Sequence, residues 1–311
     1  MTLTTDELNA VTQDWIDTNP RDIHFKSNVL LHMLLSKNKT IPGGKRIQTV
    51  LEYAESNGGS YGASTKLPVD KKEIYSAAFF GWSAYYGQAT IDLDDQIQNN
   101  GDRAIVDLVR GKLNNAAKTI RGKMAAAVYA SGATSKDLVG LDDLFSTDTS
   151  KAYGDIKEND MADWKANVVV ASANITFKAM QKIRQAATVD DNNDGMPDLY
   201  ITTMLLKDAF ERTLQSNQRW GNDDLAKAGF PNVQFSGVPI AQDNKCGSGR
   251  CYGLNTKFLD MMTHEKRNFT RPVWASPIDQ PDTAVAYIRW AGQLVCSNRA
   301  AHCMCTGLTE T

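Results

Sequence analysis

The sequence lacks the short motifs of the common nucleotide-binding folds and any serine in the setting of a nucleophile elbow. The one GxSxG, Gly58-Gly59-Ser60-Tyr61-Gly62, falls in a glycine-rich turn stretch, and neither Ser60 nor Ser248 in CGSGRC has the strand-into-helix setting that would expose a nucleophile. GxxxxGK[ST] is missing, as is a GxGxxG following a strand, so no loop is built to cradle phosphates. Only four histidines occur, His24, His32, His264 and His302, and none stands in a pattern with Asp and Ser or Cys. Each is read as a surface or hydrogen-bonded side chain. Cysteine is absent before Cys246. The five that follow are Cys246, Cys251, Cys296, Cys303 and Cys305, an odd count that makes a poor disulfide framework. No apolar run reaches the roughly 18 residues of a membrane span. The opening MTLTTDELNAVTQDWI has early acids and no apolar core, the reverse of a secretory signal, so synthesis in a cytoplasm is expected. Net charge is −2, which gives no global attraction to nucleic acid or to an anionic membrane.

What the chain does contain is an ordinary globular composition, 42% hydrophobic and 23% charged over 311 residues, enough for one large domain or two modest ones. Its dominant feature is Ile91–Ser131, read as one long amphipathic helix. Ile97, Gly101, Ile105, Leu108, Ala116, Ile120, Met124 and Ala127 recur at three- and four-residue steps and form one apolar face. Asp92, Asp94, Asp95 and Asp102 crowd its start, and Arg121 and Lys123 sit near its end, the order that a helix dipole favours. Such a spine would approach 60 Å at ~1.5 Å per residue and needs a long partner. The late strand AVAYIRWAGQLVCSN is the expected cover for its apolar face.

Before the spine, residues 1 to about 35 are polar and lightly helical, either a terminal helix on the core or an arm reaching a neighbour. In residues 36–90, Pro42-Gly43-Gly44, Asn57-Gly58-Gly59-Ser60 and Gly62 are turn signals. They separate the strand candidates KRIQTVLEYAE and AAFFGWSAYYGQATIDL, which together predict a long hairpin. An excursion of ~50 residues with few large aliphatics cannot build its own core, so it should lie on another subunit. After the spine, a helix is expected in the later half of 161–187, with Ile175, Met180 and Ile183 inward. A strand is expected over DLYITT, and a helix after the capping Thr203. Short strands follow in VQFSGVPIAQD and CYGLNTKFLDMM. The fold class is α+β.

Two clusters could hold an ion. Asp190, Asn192, Asp194 and Asp198, around Gly195, place oxygen ligands at alternate positions, as in the first half of a calcium loop. The bidentate Glu of a full loop is replaced by Ile201, so calcium stands against a solvated acidic turn. Cys246 and Cys251 with His302, Cys303 and Cys305 offer soft ligands, a small disulfide loop, or free buried thiols, the last expected in a reducing cytoplasm.

Several stretches in order resemble the major capsid proteins of tailed bacteriophages, the Hong Kong 97-type shell subunits. They are GWSAYYGQATIDLDDQIQNNGDRAIVDLVRGKLNNAAKTI, GLDDLF, PDLYITTMLLKDAFERTLQSNQRW, KAGFPNVQFSGVPIAQD, CYGLNTKFLDMM and WAGQLVCSNRAAHCMCTGL. The resemblance implies an N-terminal arm (1–35), an extended hairpin loop (36–90) and a peripheral domain with the spine helix (91–155). An axial domain (156–268) and return strands of the peripheral domain (269–311) would follow. It implies a non-catalytic protein that assembles with itself into pentamers and hexamers of an icosahedral shell around double-stranded DNA, held without sequence specificity. Scaffolding, portal and decoration proteins would be its other partners, and the virion its location, after assembly in a host cytoplasm. The alternatives are a nanocompartment shell of the same fold around enzyme cargo, or a calcium-binding interaction module. DDNNDGM is longer and more acidic than the family's usual turn. No long charged segment precedes the arm, so scaffolding is expected to be a separate protein or this sequence a mature form.

Overall fold

The computed structural model describes residues 28–62, 66–67, 69–92, 102–132, 136–189, 195–214, 233–270, 273–280 and 282–309. The elements are α1 (Val29–Ser36), β1 (Lys39–Ile41), β2 (Ile47–Glu52), β3 (Tyr75–Phe80), β4 (Ser83–Asp92), α2 (Asp102–Tyr129), α3 (Leu141–Leu144), β5 (Asn167–Asn174), α4 (Phe177–Ala187), β6 (Leu199–Thr202), α5 (Met204–Thr213), β7 (Val233–Phe235), β8 (Val238–Gln242), β9 (Cys251–Leu254), β10 (Leu259–His264), β11 (Thr283–Cys296) and β12 (Cys303–Thr309).

The spine helix is α2. Of the expected face, Ala116, Ile120 and Met124 are buried and Leu108 and Ala127 half-buried, while Val109, Leu113 and Val128, not among the residues expected there, complete the buried stripe. Its expected start is corrected. Ile91 and Asp92 belong to β4, where they pair with Ala284 and Thr283 of β11. The alternation of buried and exposed positions along β4 carries through to Asp92, so the strand period wins there. Asp94, Asp95, Ile97 and Gly101 lie outside the described residues.

The expected cover of the spine is corrected as well. β11 touches α2 only lightly, and the helix lies mainly on β4, the strand immediately before it in sequence. Sheet order explains this: β1-β10-β11-β4 makes β4 an edge strand, and the helix crosses at that edge. The approach is close. A Cβ at Gly87 would sit 2.4 Å from the carbonyl oxygen of Ala116 and 3.0 Å from Ile120 Cγ1. Gly111 and Gly122 differ, since both are exposed and a Cβ at either meets nothing within 4 Å. Replacing both by Ala should therefore stabilise the protein by roughly 1 kcal/mol each, a gain that thermal melting would register.

The expected aromatic strand AAFFGWSAYYGQATIDL divides in two. β3 pairs antiparallel with β2 as the hairpin, and β4 leaves for the four-stranded sheet. The break falls at Gly81-Trp82, where the Trp82 indole donates to the Gly44 carbonyl at 2.9 Å.

A second sheet of six strands, β5-β12-β9-β6-β8-β7, carries α4 and α5 on one face. Thr176 and Thr203 cap these helices by accepting from Ala179 N and Leu206 N, the latter as its sequence position predicts. Met180, Ile183, Leu206 and Phe210 pack under them with Tyr200 and Phe235. The other face, through Leu199, Ile201, Tyr252 and Leu254, joins the larger core around the spine. The return segment 269–311 splits between the two sheets. β11 lies in the four-stranded sheet, whereas β12 hydrogen-bonds between β5 and β9 in the six-stranded sheet.

Two buried polar side chains tie these parts together. The carboxylate of Asp243 accepts from the Asn28 amide and the Tyr129 hydroxyl, both at 2.8 Å, joining α1, the end of the spine and the loop after β8. Burial, with Asp243 alongside, drives the Tyr129 hydroxyl pKa up and keeps it a donor. Arg299, 1% exposed, donates to the carbonyls of Leu144 (2.6 Å), Trp164 (3.2 Å) and Ser146 (2.8 Å). Leu144 closes α3, and Ser146 and Trp164 lie in the irregular segments that follow it, so one buried guanidinium fastens three stretches of backbone.

Residues 29–36 are more apolar than the polar reading of 1–35 suggests, with Leu30, Leu31 and Leu34 buried. The helix expected over DELNAVTQDWI lies outside the described residues.

Candidate functional site

The hairpin has two faces set by its register. Ile47–Phe80, Thr49–Ala78 and Leu51–Ser76 are the pairs on one side; Gln48–Phe79, Val50–Ala77 and Glu52–Tyr75 are those on the other. The first side is docked on its own chain at the turn Tyr153–Ile156. Phe79 N donates to Gly154 O at 2.9 Å, and the Phe80 and Tyr153 rings meet edge-on at 5.3 Å. Gly154 has φ +63°, and a Cβ there would sit 2.9 Å from Ala78 Cβ, so the turn is shaped to receive the ribbon.

The second side is bare. Val50 and Tyr75 are each 65% exposed and Phe79 37%. Towards the tip, Tyr61, Leu67 and Val69 are exposed as well. A two-stranded ribbon is marginal in water on its own. One with apolar side chains on both faces and cover for only one is an interaction surface in waiting.

Two further surfaces share this character. On the outer face of β4 and β11, Tyr86, Tyr287, Arg267 and Arg289 line a shallow cavity of about 320 Å³. The Arg289 guanidinium lies 5.9 Å from the centre of the Tyr287 ring, and among the described residues no carboxylate pairs with either arginine. At the edge of the six-stranded sheet, β5 leaves one row of backbone groups open and Val170 74% exposed.

Among the described residues, those with catalytic or ligating chemistry form no metal-holding group of His, Cys, Asp and Glu. Nδ1 of His302 accepts from Asn255 N at 3.1 Å, and burial lowers its pKa to about 3. Nδ1 of His264 is taken up by Lys266 N. His24 lies outside the described residues. All five cysteines are free and buried. Burial pushes Cys246, Cys296 and Cys303 up to about 12, which leaves them thiols at neutral pH. Of the acidic turn, Asp190, Asn192 and Asp194 lie outside the described residues. The Asp198 carboxylate accepts from Thr256 N at 2.8 Å and Thr256 Oγ1 at 2.6 Å. Among the described residues no helix is long and apolar enough to cross a membrane.

Sequence reasoning identifies the hairpin but not which of its side chains stay bare. It also passes over β5, although NVVVASAN carries the β-branched run that would reveal it.

No protein-family model and no curated protein matches this sequence. Solved structures do. The chain is similar to a chain of the cyanophage A-1(L) capsid asymmetric unit, at 16% identity over 94% of this chain and 95% of that one, with a TM-score of 0.69. It is similar to the capsid of the native GTA particle, at 11% identity over 94% and 96%, with a TM-score of 0.60. It is also similar to the holo-SrpI encapsulin complex from Synechococcus elongatus PCC 7942, at 11% identity over 97% and 96%, with a TM-score of 0.56. The α+β fold is therefore the Hong Kong 97-type fold of phage capsids and encapsulin shells.

Proposed function

We propose that this chain is the structural subunit of a phage-type shell, a major capsid protein that assembles with itself and catalyses nothing. The observation that carries the reading is the match to the cyanophage capsid chain over nearly its whole length. The bare side of the hairpin supports it, because a subunit that keeps Val50, Tyr75 and Phe79 in water needs a second copy to cover them. In this reading residues 1–35 are an arm and 36–90 an extended loop. Residues 91–155 form a peripheral domain, 156–268 an axial domain and 269–311 the return. Pentamers and hexamers close into an icosahedral virion shell around double-stranded DNA, with scaffolding, portal and decoration proteins as partners. Gly111 and Gly122 let the spine bend as the shell matures. Wild-type yield and expansion of particles carrying Ala at both positions would remove that role.

A compartment around enzyme cargo is the second reading, favoured by the match to the encapsulin complex. Content separates the two. Particles purified from nuclease-treated lysate should hold protected double-stranded DNA, and particles holding a single co-purified enzyme and no DNA would decide for the compartment. The acidic turn carries a subsidiary proposal, that Asp190, Asn192, Asp194 and Asp198 pin a surface loop through calcium. Calcium should then raise the melting temperature and a chelator reverse it. Identical curves in calcium and in chelator would remove this proposal.

A further inference from the structure

Three of the five cysteines share one face of the six-stranded sheet, and two of them face each other. β9 and β12 are antiparallel, with Cys305 directly opposite Cys251, Met304 opposite Tyr252 and Cys303 opposite Gly253. Residues directly opposite on antiparallel strands project to the same side. Their Cα atoms lie about 4.5–5.5 Å apart, inside the roughly 4.4–6.8 Å span that a disulfide bridges. Both thiols enter the apolar cluster beneath α4, where Cys251 Sγ lies 4.0 Å from Met180 Sδ. Competing pairings are poorer. Cys303 opens onto the same face, but its opposite residue has no side chain. Cys246 belongs to the other core, its Sγ turned to the carbonyls of Gly247 and Arg250.

We propose that Cys251 and Cys305 are an oxidisable pair, held as thiols in a reducing cytoplasm and closing into a cross-strand disulfide when the folded chain meets a peroxide. The Cys305 sulfur attacks one peroxide oxygen and the O–O bond breaks. A sulfenic acid forms, and the leaving hydroxide takes the thiol proton as water. The Cys251 sulfur then attacks the sulfenic sulfur. The S–O bond breaks, the S–S bond forms, and the second hydroxide leaves as water with the Cys251 proton. Two thiols lose two electrons and one peroxide becomes two waters. Both sulfurs are buried in the folded chain, and Cys305 reacts first. Exposed Lys182 favours its thiolate against the burial that holds it at about 11, whereas burial and the neighbouring cysteines raise Cys251 further. The bond closes a loop containing all of β10 and β11, so it fastens the last strand of the axial sheet to the strand that leads into the peripheral one.

The proposal concerns the fold of one subunit, so it can fail without the shell reading failing. The full folded chain is treated with hydrogen peroxide, remaining thiols are alkylated in denaturant, and the protein is digested with trypsin without reduction. The peptide 251–257 should be joined to the C-terminal peptide through Cys305, as fragmentation would assign. The link should survive Cys303→Ala and vanish in Cys305→Ala. The oxidised wild type should melt about 3–6 °C above the reduced form, a difference that reductant abolishes. A link through Cys303 or Cys246, or five thiols still open to alkylation after peroxide, overturns the proposal. The wild-type chain supplies both results, so neither depends on a variant folding.

Discussion

Replacing Val50 and Phe79 by Asp together should abolish assembly while leaving the subunit folded. Both side chains stand on the uncovered side of the hairpin, so in an isolated subunit the change stays near the small values of surface substitutions, within about 0.5 kcal/mol each. At a subunit contact the balance reverses. Each apolar side chain covered by a neighbour contributes roughly 1.5–3 kcal/mol, and a carboxylate in its place must be desolvated. Two lost anchors raise the protein concentration needed for assembly by at least about 100-fold. Sedimentation should find the variant as small species, with the far-UV dichroism of the wild type. The same pair of changes on the docked side, at Ile47 and Phe80, should instead unfold the ribbon, because both are nearly fully buried.

Gly87→Ala should be strongly destabilising for a single added methyl group. The new carbon would meet the carbonyl of Ala116 in the middle of the spine, and backbone cannot rotate aside. Either the helix lifts from β4 and loosens Leu113, Ala116 and Ile120, or the strand bends out of its pairing with β11. Overpacking of this kind costs about 1–3 kcal/mol, and the upper end is expected here. The melting temperature should fall by roughly 3–5 °C. Gly111→Ala, the same chemical change on the exposed face of the same helix, should raise it. A Gly87→Ala protein as stable as wild type would mean that the helix does not rest on β4.

The contrast between these two glycines shows how far the sequence could be read. The spine is legible because its apolar stripe repeats with the period of a helix over about five turns, from Val109 to Val128, and composition cannot hide such a pattern. What covers it is not legible. Both β4 and β11 carry small and aromatic residues in alternation, and only the sheet order β1-β10-β11-β4 decides which strand lies under the helix. The helix starts later than its charge pattern suggests for a local reason: Thr90-Ile91 extends a strand pattern straight into the acidic stretch. The hairpin is readable from its glycine-rich tip. Its bare face is not, because IQTVLE and YSAAFF place large apolar residues on both sides and alternation alone cannot say which side meets solvent. Likewise Cys246 and Cys251 attract notice by nearness in sequence, while the pair that matters, Cys251 and Cys305, is made by strand register.

The central claim is that surfaces left open in one chain are completed by other copies of it. Electron microscopy of the purified full chain, taken through a range of protein and salt concentrations, tests that claim directly. Closed particles of uniform diameter that disperse when Val50 and Phe79 are changed are the predicted result. A protein that stays monomeric under every condition, with its hairpin protected from protease, would contradict it.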